Sequence, residues 1–314
     1  MTTAEHDHVH GVHDEADAKW LTIALALIVA FMAVEVVVGI LAHSLALLSD
    51  AAHMLTDAGA LLLSLIVIRL VARPAAGNLT FGLRRTEILS AQANGATLLV
   101  LAGLVVYEAI HRLVTPPEPE GLAILVVALA GVAVNVAATW SISRANRQSM
   151  NVEGSFQHIL TDLYAFVATA IAGVVILITG FDRADAIAAL LVAALMLRAA
   201  VGLLRDSGRV LLEAAPQGMS VTEIGTALAR HPGVTQVHDL HVWEVGSGFP
   251  SLSAHVLVRP GADCHGIRHQ LEHVLEARFG IEHTTLQVDH SHETSGLLEL
   301  QPDVAPPGGS HGPK

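Results

Sequence analysis

The chain has 314 residues, of which 52% are hydrophobic and only 15% charged, with a mean hydropathy of +0.54. No ordinary soluble domain needs that much apolar surface, so the profile is that of a polytopic membrane protein. A formal net charge of −12 argues against a nucleic-acid partner and is compatible with cation handling, and the single cysteine, Cys264, excludes an intrachain disulfide framework.

The first 18 residues are polar and acidic, so no cleaved signal peptide is expected. This tail, residues 1–19, carries His6, His8, His10 and His13 among Glu5, Asp7, Asp14 and Glu15. It reads equally well as a disordered, low-affinity metal collector and as a plain solvated segment. Six apolar runs follow, each long enough to span a bilayer at roughly 20 residues per helix. They cover Leu21–Ala42, Leu45–Val71, Ile88–Val114, Leu122–Ile142, Ile159–Thr179 and Ala184–Leu204. Lys19, Arg69, Arg73, Arg84, Arg85, Arg144, Arg147, Arg205 and Arg209 fall in alternate connections, while the others are poor in positive charge. The excess of Lys and Arg on one side predicts that both termini face the cytoplasm.

Residues 20–212 therefore read as an all-α, six-helix transmembrane domain, and residues 213–293 as a small cytosolic α+β domain. In the latter, Val221–Arg230 and His265–Phe279 have helical patterns. Val237–Val245, Ser251–Val258 and Thr284–Val288 have strand patterns; Leu252, Ala254, Val256 and Val258 share one face of the second. Residues 294–314, rich in Gly, Pro and Ser, predict a disordered tail.

Two copies of one motif stand out. His53-Met54-Leu55-Thr56-Asp57 lies in the second run, and His158-Ile159-Leu160-Thr161-Asp162 in the fifth. In each, the His and Asp are spaced i, i+4, so they share one helix face a turn apart. Ionisable groups within a membrane are costly and mark ion pathways. Two imidazole nitrogens and two carboxylate oxygens make a four-coordinate set suited to Zn²⁺, and the carboxylates cancel its charge in low dielectric. Asp50 falls on the same face of the second run, as a pathway carboxylate, a proton carrier or a solvated cap. Glu35 and Asn135 sit in the first and fourth runs, where interhelical hydrogen bonding suits them.

Further stretches carry a resemblance over nearly the whole chain. They are Ser44 to Asp57, Thr80-Phe81-Gly82-Leu83-Arg84-Arg85-Thr86-Glu87-Ile88-Leu89, Asn94-Gly95, His158 to Asp162, and His238-Asp239-Leu240-His241-Val242-Trp243. Together they resemble the cation diffusion facilitator family in its bacterial zinc-exporting type. The resemblance implies a homodimer of six-helix protomers, alternating access and Zn²⁺/H⁺ exchange. It also implies that the cytosolic domain is a ferredoxin-like, metallochaperone-like module that dimerises and binds metal. His53, Asp57, His158 and Asp162 are carried over by motif as the transport site. Against the family variant with three Asp and one His, the second imidazole here favours Zn²⁺ over Mg²⁺ or Mn²⁺. The family's further metal site between the second and third helices is not expected, because Arg73 to Thr80 contains no His, Asp, Glu or Cys. By resemblance, His238, His255, His265 and Asp289 fall on or near a cytosolic zinc site, and solvated surface residues are the competing reading. His265, His269 and His273 also form an i, i+4, i+8 stripe, more often a wet helix face than a metal site.

These expectations describe a non-enzymatic zinc exporter of the cytoplasmic membrane. Its partners are Zn²⁺, H⁺, the lipid bilayer and a second copy of the chain. It needs no organic cofactor, and Zn²⁺ serves as cargo and as a regulatory ligand of the cytosolic domain. An intramembrane zinc enzyme is the first alternative. It fits less well, because H-E-x-x-H is absent and catalytic zinc keeps an open position. A membrane-tethered zinc sensor is the second, and six spans with buried ligands suit it poorly.

Overall fold

The computed structural model describes residues 7–41, 45–115, 121–181 and 183–291; within them, the side chains of residues 7–16, 39, 45–53 and 121–124 lie outside the description. Eight helices and three strands occur among the described residues. They are α1 (Asp7–Leu41), α2 (Leu45–Val71), α3 (Thr86–Val114), α4 (Gly121–Ile142), α5 (Met150–Thr179), α6 (Ala184–Leu211), α7 (Val221–Ala229), β1 (Val234–Glu244), β2 (Pro250–Val258), α8 (Cys264–Phe279) and β3 (His283–His290). All of α1–α6 contain segments long and apolar enough to cross a membrane, six in number. They leave large apolar side chains such as Val100, Ile171 and Leu191 exposed, which lipid can cover and water cannot.

Two compact units result. One is built on α1–α6 with the segment 242–251, the other on 220–241 and 252–291. Within the first, buried side chains recur at helical spacing. Leu21, Ala24 and Ile28 of α1, Met54, Ala58, Leu61, Leu65 and Ile68 of α2, Ala138 and Ile142 of α4, and Val152, Phe156 and Ile159 of α5 form one core. Leu98 and Ala102 of α3 with Val192, Met196 and Ala200 of α6 form another, which Ala165 and Ala168 of α5 also touch. The i, i+3, i+4, i+7 spacing of these positions puts each set on one stripe, and burying the stripe fixes which helices meet. So α5 is the element shared between the two packing groups. It meets α4 closely: a Cβ at position 131 would lie 2.3 Å from the Phe166 ring, so Gly131 is what lets the helices approach.

Three helices begin or end away from the apolar runs. Helix α1 starts at Asp7, so much of the segment expected as a disordered tail has helical backbone. Its acidic residues lie near a helix N-terminus, where the dipole favours them. Helix α5 starts at Met150 rather than Ile159, and α6 continues to Leu211 through Arg205, Asp206 and Arg209. Hydropathy marks where a helix is greasy; a helix ends where its backbone is capped. Gly180 in the left-handed conformation (φ +67°) caps α5, its N–H donating to the Ile176 carbonyl.

The second unit follows the expected order closely. Its three-stranded sheet has the order β1-β2-β3. Leu252, Ala254, Val256 and Val258 of β2 are buried, as their alternation predicts, and so are Ile224 and Leu228 of α7 and Ile267, Leu271 and Leu275 of α8. Ser220 caps α7 by accepting from the Glu223 N–H, and Asp263 caps α8 by accepting from the Gly266 N–H at 3.0 Å. The tail 294–314 lies outside the described residues.

Candidate metal centre

Helices α2 and α5 place Asp57, His158 and Asp162 together. The stripe that buries Met54, Ala58 and Leu61 carries Asp57 inward with it, and the stripe of Val152 and Ile159 carries His158 and Asp162. His158 Nε2 lies 2.7 Å from Asp57 Oδ1. One ligand atom from each of the three residues lies within 4.8 Å of the other two. All three are buried, Asp57 at 4%, His158 at 1% and Asp162 at 6% exposure. Two carboxylates and an imidazole gathered in a dry site cost heavily unless their charge is balanced. A divalent cation does that, and this donor set matches the nitrogen and oxygen preferences of Zn²⁺. His53 lies on α2 one turn before Asp57, with its side chain outside the described residues, as is that of Asp50.

A cavity of about 110 Å³ adjoins Asp162, lined by Thr161 and Thr169 of α5, Val105 of α3, and Ala189, Val192 and Met196 of α6. Small alanines on α5 and α6 leave it unfilled. Glu35 and Asn135 are buried as expected, and Asn135 Nδ2 donates to the Gly131 carbonyl at 3.1 Å. The turn between α2 and α3 is exposed and uses left-handed Gly77 and Gly82.

A second cluster forms on β1 and β2. His238 and His255 come together, rings 5.2 Å apart and nearly perpendicular. Their third member is Asp239, whose Oδ2 lies 3.2 Å from His238 Nδ1 and 3.7 Å from His255 Nδ1. The structure does not bring His265 or Asp289 into this group. His265 sits in the first turn of α8, and Asp289 near the end of β3 accepts from Gln287 Nε2 at 2.8 Å. Asp239 was not visible from spacing alone. Neighbours along a strand point to opposite faces. Asp239 escapes that rule because its backbone is left-handed, with φ +49°. Asp is among the few side chains that tolerate this conformation, so the His-Asp dipeptide was the available signal. The stripe of His265, His269 and His273 is not a cluster; His269 Nδ1 pairs with Glu272 Oε2 at 3.2 Å. Cys264 Sγ lies 3.2 Å from His290 Nε2.

Residues 21–212 match the cation efflux transmembrane domain, and residues 216–291 match the cation efflux protein cytoplasmic domain. The zinc transporter ZitB of Shigella flexneri is 39% identical over 290 residues, 91% of this chain and 92% of that protein. A cadmium, cobalt and zinc/H(+)-K(+) antiporter of Bacillus subtilis is 34% identical over 298 residues, 92% of this chain and 96% of that protein. The metal cation efflux system protein CzcD of Cupriavidus metallidurans is 37% identical over 290 residues, 91% and 90% of the two chains.

Proposed function

Since the chain belongs to the cation efflux family and is a cation efflux transporter rather than an enzyme, we propose that it exports Zn²⁺ from the cytoplasm in exchange for protons, at a site formed by His53, Asp57, His158 and Asp162. The observation that carries this reading is the convergence of Asp57, His158 and Asp162 from two membrane helices into one buried group. The ion approaches between α2 and α5 from the cytoplasmic side, which the Lys and Arg distribution assigns to both termini. Imidazole and carboxylate bind metal only when deprotonated, so each Zn²⁺ that binds releases protons. Protons that rebind from the opposite side then help to expel the ion. The relatives named as zinc transporters and as a zinc/H⁺ antiporter support both the cargo and the coupling.

The chain works as a homodimer in this reading, with the cytosolic domain as the pairing element, in keeping with its match to the family's cytoplasmic domain. His238, Asp239 and His255 there bind Zn²⁺ as a regulatory ligand, and His265 and Asp289 lie outside that group.

Proteoliposomes with a trapped pH dye test the central claim. Added Zn²⁺ moves against its gradient when a proton gradient is imposed, and the dye reports proton movement in the opposite direction. Protons and Zn²⁺ compete for the same imidazole and carboxylate atoms, so apparent zinc affinity falls as pH drops. Zinc movement with no change in internal pH and flat affinity from pH ~6 to ~8 would replace the exchanger with a facilitated-diffusion carrier. A panel of Zn²⁺, Cd²⁺, Co²⁺ and Ni²⁺ in the same vesicles ranks the cargo.

A further inference from the structure

Beside the metal-binding group lies a second buried polar group that metal binding does not use. Ser64 of α2 and Ser155 and Asn151 of α5 are each fully buried, at 0% exposure. The Ser64 and Ser155 hydroxyls are 2.6 Å apart. Asn151 Nδ2 donates to the Ser64 carbonyl at 2.9 Å, and the Ser155 hydroxyl reaches the Asn151 carbonyl at 3.3 Å. The first two of these bonds cross directly from α2 to α5, and the third lies within α5. Asn151 Oδ1 is buried with no hydrogen-bond partner among the described residues, and so is Nδ2 of Asn94, which lies against Gly154. Buried polar atoms are nearly always satisfied, so unsatisfied ones ask for a reason.

Position supplies the reason. Ser155 precedes His158 by about one helical turn, and Ser64 follows Asp57 by about two, on the faces that carry the metal-binding group. Asn151 continues the same face of α5 by one more turn. The hydroxyl pair therefore closes the α2–α5 seam on the side where α5 begins. On the other side of Asp162, the cavity of about 110 Å³ leaves space. The group is sealed toward one end of the helices and hollow toward the other.

We propose that Ser64, Ser155 and Asn151 form a latch across α2 and α5 that closes the cytoplasmic approach to the transport site and parts to admit Zn²⁺. The latch presupposes the site and orientation proposed above. Its chemistry suits a seam that opens and closes. Hydrogen bonds between neutral groups exchange for water at small net cost, whereas an apolar seam would expose dry surface each time it opened. On opening, Asn151 Oδ1 gains the water partner it lacks when closed. Hydroxyls and amides also do not retain Zn²⁺, which prefers imidazole, thiolate and carboxylate, so the ion passes them and stops at the cluster. These are positioning residues: they hold the helix faces that bear Asp57 and His158 in register.

The test uses the full chain in proteoliposomes. In a Cys264→Ser parent, Ser64→Cys and Ser155→Cys are introduced together, and zinc transport is measured before oxidation, after it, and after reduction. Crosslinking lowers transport at least tenfold and reduction restores it. A crosslinked protein that transports at the reduced rate overturns the latch, and so does a pair that fails to crosslink, because the contact is then absent. A Cys264→Ser parent without zinc transport counts against the transport reading itself, a result distinct from either. The second measurement is the Ser64→Ala, Ser155→Ala protein, taken from the monodisperse fraction. Loss of the latch favours the open state, so the half-saturating Zn²⁺ concentration falls about threefold to fivefold while the maximal rate declines. A purely structural role raises that concentration instead, and this outcome also overturns the proposal.

Discussion

The two clusters of this chain use the same donors under opposite conditions. Asp57, His158 and Asp162 are at most 6% exposed. The side chains of His238, Asp239 and His255 are 39%, 66% and 45% exposed. In water, the cytosolic carboxylate and imidazoles are already solvated, so a bound ion replaces good hydration with coordination and gains only the difference. In the membrane cluster, the carboxylates have given up water on folding, so their charge is costly and a bound cation or protons offset that cost. Charge balance matters little in the first case and much in the second. That difference in burial underlies the separate roles proposed above for the two clusters.

The largest effect that sharpens this contrast comes from removing a buried carboxylate. Asp57→Ala or Asp162→Ala leaves the ion with uncompensated charge in low dielectric, at about 3–5 kcal/mol, and lowers zinc flux by more than about 100-fold. Flux near that of the unmodified protein, at equal protein level, would show that burial does not set the role. Next comes His158→Asp, which trades a nitrogen donor for a third carboxylate. Competition assays should show a relative gain for harder ions such as Mn²⁺, because oxygen-rich sites suit them. An unchanged metal ranking would remove His158 from direct contact with the ion.

The cytosolic cluster is tested in full-length Asp162→Ala protein, where its binding is seen with little contribution from the membrane site. Calorimetry of the His255→Ala derivative should show zinc affinity at least about tenfold weaker, with transport by the single His255→Ala protein reduced far less than by Asp162→Ala. Equal loss of transport in both would erase the distinction drawn here. A smaller effect is expected from Asp239→Ala, a severalfold loss of cytosolic affinity, since its carboxylate is the most exposed of the three. Asp289→Ala should leave that affinity unchanged, and a larger loss there than in Asp239→Ala would restore Asp289 to the site.

Sequence showed some of these features and concealed others, for identifiable reasons. Helix α2 spans Leu45–Val71, the bounds of its apolar run, and at its end Ala72-Arg73-Pro74 closes the run in composition as well as in backbone. The first turns of α5 were hidden because Asn151, Glu153, Ser155 and Gln157 are polar, although Asn151 and Ser155 are fully buried by neighbouring helices. Hydropathy reads side chains one at a time and does not see that a polar residue has a partner across a seam. Asp57, His158 and Asp162 were legible because one motif occurs twice and each copy sits on a single helical face. Asp239 was not, because its place depends on one backbone angle. His265 and Asp289 were placed by resemblance alone, and the group that His238, Asp239 and His255 form does not include them.

The close approach at Gly131 has a genetic consequence. Any side chain there would meet the Phe166 ring at 2.3 Å, and the ring is stiff, so α4 and α5 must separate or the ring must turn. Phe166 sits one turn beyond Asp162 on α5. A random screen for zinc-sensitive cells should therefore recover alleles at codon 131 alongside those at codons 57 and 162, although the glycine touches no ion. The two classes separate by second-site suppression. A smaller residue at 166 makes room for Gly131→Ala, and no change at 166 returns a missing carboxylate.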